Sequence, residues 1–446
     1  MDCKPGNYRV LMLPWLAHGH ISPFLELAKR LTKSDFQVYL CSTPINLNPI
    51  RENAISSNFS SIQFVDIHLS TSLEFPADYH TTKNLPPHLM PTLKTAFDGA
   101  KDNFRDILKT FKPDLVIYDF LQPWAPEVAS EEKINSVLFL TFGVATSAFL
   151  VHHTTNPDAE FPFPALKFPQ IQSQKLVQFM YEVSNCLTSK ERFLGCIERS
   201  SSFVLIKTSN EIEAKYIDFF SALVRKEVVS VGTLVQYPID ITEDSVLMDW
   251  LSKKEPQSLV FISFGSEYFL SKEEIEEIAY GLELSNVNFI WVVRFHGGEK
   301  IGLHETLPEG FQKRVGERGM IVEGWAPQAK ILRHSSIGGF VSHCGWSSML
   351  EAMEFGVPII AMPMHLDQPI NARLAVDLGI GMEVRRVNGK FSREDIAKII
   401  REVVMEEGKE IKENVNKLRD KLRDKSDDDM NIVASRLVQL AQNFDN

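Results

Sequence analysis

Short, almost wholly apolar runs recur along this chain, and a helix-period segment follows most of them. That alternation limits the fold more than any other feature, because a strand apolar at every position must be covered on both faces. Residues 8–13, 36–41, 62–67, 115–118, 137–140 and 203–207 form one series, and 259–264, 289–293, 321–323, 339–342 and 358–362 form a second. The pattern predicts parallel sheets with helices on both faces, a doubly wound α/β fold. One core stops growing at roughly 250–300 residues. The chain has 446, so two series predict two domains. The expected boundaries are 1–236 and 248–430, joined by the polar, proline-bearing linker 237–247.

Local signals place several helices. Pro23 opens a helix over residues 24–31. Ser271 and Glu274 form a capping box that opens a helix running through Leu284. Residues 70–91 and 156–173 are rich in proline, histidine, threonine and aromatics, and long irregular stretches of this kind are functional or disordered. Residues 409–430 read as a charge-dense helix with a solvated face, ending in Asp427-Asp-Asp429 without supporting metal ligands. No repeat relates the two series, which excludes a solenoid.

Charge and cysteines narrow the function classes. Lys and Arg number 47 against 58 Asp and Glu, a net charge of −11, which disfavours a nucleic-acid partner. Local backbone amides can still hold a small anion. The cysteines Cys3, Cys41, Cys186, Cys196 and Cys344 are scattered without metal-ligand spacing and read as free thiols in a reducing compartment. The first apolar stretch is short and broken by Pro14, unlike a signal peptide, and no run reaches the ~18 apolar residues of a membrane span. These features predict a cytoplasmic protein of enzyme size with no membrane span.

The densest chemistry lies between Trp325 and Gln368. Within it, Ser342-His-Cys-Gly-Trp-Ser-Ser348 follows an apolar run and opens a helix. The exposed amides of a helix N-terminus can hold a phosphate. Gly345 permits close backbone approach, and His343, Ser347 and Ser348 add donors. The serines could equally cap their own helix. Trp325 and Trp346 could be ligand contacts or ordinary core.

A second site follows the first strand, at His18-Gly-His20. A histidine there can take a proton near neutral pH, or only hydrogen-bond its loop. Asp119, ending the run 115–118, can orient such a histidine or cap the next helix. Trp15, Phe120, Trp124, Phe142 and Phe149 sit at or near strand ends, where they line an apolar acceptor pocket or belong to the core.

The block 325–368 resembles the signature box of plant family 1 UDP-dependent glycosyltransferases. Trp325, Ala326-Pro-Gln328, His343-Cys-Gly-Trp346, Glu351, Gly356-Val-Pro358 and Asp367-Gln368 are all in register, and the likeness extends through Gly19-His-Ile-Ser-Pro23 and Phe264-Gly-Ser266. The resemblance implies a GT-B architecture, two Rossmann-like domains facing a cleft, with a last helix, 431–446, packing back on the first. It implies that Trp325 stacks on uracil, with Ala326 offering backbone contacts and Gln328 and Glu351 at the ribose. Ser266, His343 and Ser348 would hold the diphosphate; Trp346, Asp367, Gln368 and Thr141 would touch the sugar. Gln368 at the last position implies UDP-glucose as donor. His20 would be the base and Asp119 its partner, with no metal or other cofactor. The family usually has asparagine where this chain has Ser347, a shorter donor.

Within the family the motifs look most like the branch-forming group, which adds a sugar to a sugar on a flavonoid or terpenoid; direct glucosylation of an aglycone is the alternative. The implied partners are a UDP-sugar and a glycoside acceptor, bound by a monomer. An NAD(P)-dependent oxidoreductase would show Gly-x-Gly-x-x-Gly after the first strand, which is absent here. A non-catalytic UDP-sugar sensor would lack the His20 and Asp119 pair.

Overall fold

The computed structural model describes residues 8–56, 61–83, 85–237, 246–266, 268–294, 306–405 and 408–442. The chain divides into two compact units. The first comprises Met1–Phe161, Gln174–Leu234 and Asp424–Asn446; the second comprises Pro162–Ser173 and Val235–Arg423. Most of the expected linker, residues 238–245, lies outside the described residues, as do residues 443–446.

The first unit holds β1 (Tyr8–Leu13), β2 (Phe36–Ser42), β3 (Ile62–Asp66), β4 (Leu115–Tyr118), β5 (Asn135–Leu140), the hairpin strands β6 (Val183–Ser184) and β7 (Leu187–Thr188), β8 (Phe203–Ile206) and β9 (Glu227–Ser230). Seven of these form one parallel sheet in the order β3-β2-β1-β4-β5-β8-β9. Val10, Met12, Val38, Leu40, Leu115 and Ile117 are completely buried in it. Each such side chain contributes about 1.5–3 kcal/mol. The order reverses between β1 and β4, where Leu13 stands beside Tyr118. In an open α/β sheet that reversal leaves a crevice at the carboxyl ends of the strands.

The second unit holds β10 (Leu259–Ser263), β11 (Asn288–Val293), β12 (Gly319–Glu323), β13 (Ile337–Ser342), β14 (Ile359–Ala361) and β15 (Gly381–Glu383). They form a parallel sheet in the order β12-β11-β10-β13-β14-β15, which reverses between β10 and β13.

Every expected apolar run is a strand, with ends shifted by no more than one or two residues. The reading passed over β9, β15 and the hairpin, which are short or mixed in polarity. The Ser271 capping box is present, opening the helix Lys272–Ser285. The first helix departs from expectation: it spans His18–Leu31, with Pro23 inside it. Its N-cap is Ala17, which supplies no side-chain bond and leaves no mark in the sequence. The last helix also differs. No new helix starts at residue 431; one helix runs Lys409–Gln442 without a break. Val415, Leu418 and Leu422, and after an eight-residue step Met430, Val433, Leu437 and Leu440, form a buried stripe along it at otherwise three- and four-residue spacing, so only its other faces are solvated.

Candidate functional site

In the first unit three strand ends converge. His20 lies in the first turn of the helix after β1, Asp119 directly follows β4, and Thr141 directly follows β5. His20 Nδ1 is 2.8 Å from Asp119 Oδ2 and 3.2 Å from Thr141 Oγ1. Asp119 is completely buried. Its Oδ2 also accepts from the Trp15 amide at 3.2 Å, and its Oδ1 from the Phe120 amide at 2.7 Å. The next helix begins at Trp124 with Pro123 as N-cap, so Asp119 orients the histidine and does not cap that helix. A carboxylate at Nδ1 fixes the proton there and leaves the Nε2 lone pair to act as a base. His18 is exposed and remains a neighbour.

The frame around this pair contains residues that sequence reasoning missed. Buried Gln122 donates to the Leu13 carbonyl at 2.7 Å, tying the β4 end to the β1 end. Completely buried Glu213 accepts from the Val144 and Ala145 amides at 3.1 and 2.8 Å and from Thr208 Oγ1 at 2.6 Å. It thereby holds the start of the helix Val144–Thr155, which follows Thr141. Burial pushes its carboxyl up to about 7 against those three hydrogen bonds. Gln122 is a polar group in a largely apolar segment, the only signal the sequence offers for it, and Glu213 lies among other polar residues, so nothing local marks it.

The five candidate pocket aromatics separate into two groups. Trp15, Trp124 and Phe149 are buried, Trp15 against Phe97 and Trp124 edge-on to Phe97 and Phe104. Phe120 and Phe142 are half-buried with ring centroids 5.2 Å apart, and Phe120 lies 5.8 Å from the His20 ring.

In the second unit the box residues follow the carboxyl ends of β12, β13 and β14, and Ser266 follows that of β10. Trp325 is 71% exposed, which excludes a core role for its indole. Ala326 and Trp346 are buried. Gln328 Nε2 donates to Ser348 Oγ at 3.1 Å and to Glu351 Oε2 at 2.8 Å, joining three expected site residues in one network. The helix Trp346–Phe355 has Gly345 as N-cap and no side-chain cap, so the serines do not cap it. Its amide end carries partial positive charge.

His343 lies between two glycines. A Cβ at Gly265, which has φ +75°, or at Gly345 would meet its ring at 2.6 or 2.5 Å. Burial lowers His343 to about 4, with His365 acting in the same direction and the Ser263 backbone opposing. The imidazole is therefore neutral at pH 7 and offers an N–H, not a charge. Half-buried Arg294, following β11, donates to the Gly265 carbonyl at 3.0 Å and was not foreseen.

The end of the box is internally bonded. Gln368 Oε1 accepts from the Met364 and His365 amides at 2.9 and 3.0 Å, and its Nε2 lies 3.0 Å from His365 Nδ1. Asp367 Oδ2 accepts from Asn371 Nδ2 at 2.8 Å, and that same nitrogen donates to the Cys344 carbonyl at 2.9 Å. Asn371 thus couples Asp367 to the His343 turn, a link invisible in sequence. Ser266 and Ser347 are half-buried. Among the described residues no cluster of three or more His, Cys, Asp or Glu could hold a metal. No helix of the described residues is long and apolar enough to cross a membrane.

Two family models match the chain: "Glycosyltransferase, N-terminal domain" over residues 7–236 and "UDP-glucoronosyl and UDP-glucosyl transferase" over residues 250–431. The chain is 48% identical over 449 residues to the flavanone 7-O-glucoside 2''-O-beta-L-rhamnosyltransferase of Citrus maxima, with 99% of each chain covered. It is 48% identical over 438 residues to the beta-D-glucosyl crocetin beta-1,6-glucosyltransferase of Gardenia jasminoides, covering 96% of this chain and 98% of that one. The solved structure of Glycyrrhiza uralensis UGT73P12 complexed with glycyrrhetinic acid 3-O-monoglucuronide superposes with a TM-score of 0.83 at 22% identity, covering 99% of this chain and 96% of that one. The fold is GT-B, with two Rossmann-like α/β domains.

Proposed function

Because the chain belongs to the UDP-glucoronosyl and UDP-glucosyl transferase family, we propose that it transfers glucose from UDP-glucose to a sugar hydroxyl of a flavonoid or terpenoid glycoside. The observation that carries the chemistry is the 2.8 Å contact between His20 Nδ1 and buried Asp119. An acceptor hydroxyl is a weak nucleophile, and a base poised near neutrality is what it lacks. His20 Nε2 takes the hydroxyl proton while Asp119 stabilises the imidazolium. The oxygen attacks the anomeric carbon in line and UDP departs from the opposite face. One displacement inverts the α linkage of the donor to β in the product.

The second unit supplies the donor groups in this reading. Trp325 stacks on uracil, with Ala326 beside it, and the Gln328–Glu351 pair meets the ribose. The amide end of the helix Trp346–Phe355, with Ser266, Ser347, Ser348 and the neutral His343, receives the diphosphate charge as it develops. The reading assigns no metal to that step. Thr141, Trp346, Asp367 and Gln368 are assigned to the sugar. The names of two relatives, one acting on a flavanone glucoside and one on a glucosyl crocetin, support an acceptor that already carries sugar.

A UDP-release screen tests the reading. UDP-glucose, UDP-xylose and UDP-galactose are set against flavonoid and terpenoid aglycones and their matched monoglucosides. Turnover is expected with UDP-glucose and monoglucosides, with a β-anomeric proton coupling in the product. Turnover on aglycones alone would overturn the sugar-on-sugar reading.

A further inference from the structure

The diphosphate of a UDP-sugar is anionic, yet none of the side chains assigned to the donor above is a lysine or an arginine. Glu351 and Asp367 in that set add negative charge, and burial keeps His343 neutral at pH 7. The amide end of the helix Trp346–Phe355 offers only partial positive charge. Arg294 stands at the same sheet edge, and its charge has no role in the reading above. A guanidinium stays charged throughout the working pH range.

Strand order places this residue. The sheet runs β11-β10-β13, so the turn Phe264-Gly-Ser266 after β10 has the end of β11 on one side and the end of β13 on the other. The β10–β11 register pairs Ile262 with Trp291, and its extension sets Arg294 beside Gly265. Both neighbours grip the same glycine. From the β13 side, the His343 ring lies 2.6 Å from where a Cβ of Gly265 would stand. From the β11 side, Arg294 Nη1 donates to the Gly265 carbonyl at 3.0 Å. The guanidinium carbon is 5.6 Å from the centre of the Phe269 ring, within cation–π range, which steadies the head group.

The hydrogen bond also sets a direction. Among the described residues no peptide bond is cis. In a planar trans peptide the carbonyl and the following N–H point to opposite sides. With the Gly265 carbonyl held by Arg294, the Ser266 amide points away from Arg294. Gly265, at φ +75°, has the conformational freedom to let that peptide rotate once the bond is lost.

We infer that Arg294 is a positioning residue for the departing diphosphate: it fixes the Gly265–Ser266 peptide so that the Ser266 amide and hydroxyl serve the diphosphate, and it lends the seat a full positive charge from behind the turn. The inference rests on the UDP-sugar donor proposed above. The competing account is a guanidinium that only stabilises the turn, and the two differ in which part of the ligand responds. Arg294→Met keeps an apolar stem against Phe269 and removes both the charge and the bond. Arg294→Lys keeps the charge and a donor. Each variant is titrated calorimetrically with UDP and, at millimolar concentration, with uridine. Arg294→Met should weaken UDP binding about 10- to 100-fold, the effect of losing one hydrogen bond to a charged group. Uridine binding should stay within twofold, because uracil and ribose are assigned to Trp325, Gln328 and Glu351. Arg294→Lys should recover most of the UDP affinity. At saturating UDP-glucose, Arg294→Met should lower kcat at least tenfold with the acceptor KM unchanged. If Arg294→Met does not fold, Arg294→Gln takes its place. Equal losses of UDP and uridine binding, UDP affinity unaltered in Arg294→Met, or no recovery in Arg294→Lys would each overturn the inference. A wild type that binds UDP through Arg294 yet transfers glucose to neither glycosides nor aglycones would retain it and overturn the function proposed above.

Discussion

The two sheets share a topology and solve opposite electrostatic problems. At the carboxyl edge of the first, a completely buried aspartate faces a partly exposed histidine, and side chains from three strand ends make the contact. At the carboxyl edge of the second, the expected anion seat is made from turns, a helix amide end and a histidine that is neutral. Side chains with tunable charge suit proton transfer. Backbone amides suit a ligand whose charge never changes sign.

The largest test of that contrast is His20→Ala. It should lower kcat by about 10²–10⁴-fold, the usual range for a lost general base. UDP affinity measured by calorimetry should stay within twofold, because the donor groups lie in the other unit. A parallel collapse of UDP binding would break the contrast.

The second test is pH. Glu213 in the first unit is raised from 4.5 to about 7 and so binds protons more tightly when folded. Its contribution is fully present below 4.5 and lost as pH rises toward 7. His343 in the second unit is lowered from 6.5 to about 4. The unfolded chain then binds more protons between those values, so its contribution is present above 6.5 and lost as pH falls toward 4. Each shift corresponds to about 3 kcal/mol. Hydrogen exchange should therefore show β5 protection falling and β13 protection rising as pH is raised from 4 to 7. Glu213→Gln should flatten the first trend and His343→Gln the second.

A smaller effect is expected from Trp325→Ala. Stacking of a base on an aromatic ring is worth about 1–3 kcal/mol. The KM for UDP-glucose should rise about 10- to 100-fold while melting temperature is unmoved, since the ring is exposed. Smallest is Ser347→Ala, where loss of one hydrogen bond costs on the order of 1 kcal/mol. Ser347→Asn should leave UDP affinity equal or better; if neither variant changes it, Ser347 is not a phosphate contact.

The same contrast explains what the sequence disclosed. The second unit's site is nearly contiguous from Trp325 to Gln368, so its register was legible in one stretch. The first unit's pair is separated by 99 residues, and only position at strand ends together with the resemblance around Gly19-His-Ile-Ser-Pro23 pointed to it. Strands apolar at every position were legible because burial on both faces writes itself into composition. β9 and β15 were not, since short strands leave little pattern. The start of the first helix was misplaced because Ala17 caps it without a polar side chain. The neutrality of His343 comes from burial and from His365, and the room for its ring comes from Gly265, which stands 78 residues earlier and lies beside it only after β10 and β13 pair. Likewise, Asn371 and Gln122 act through carbonyls that no local pattern connects to them.

The glycines on either side of His343 have a consequence for evolvability. Amides of a helix end persist through almost any exchange of side chain, so a seat built from them is insensitive to drift at most of its positions. Gly265 and Gly345 are the exceptions, because any larger residue drives into the imidazole. Sequence variation in such a seat is free to accumulate at its periphery. The pair proposed for proton transfer has no such redundancy: its chemistry rests on the His20 side chain, and no neighbouring backbone atom can replace an imidazole.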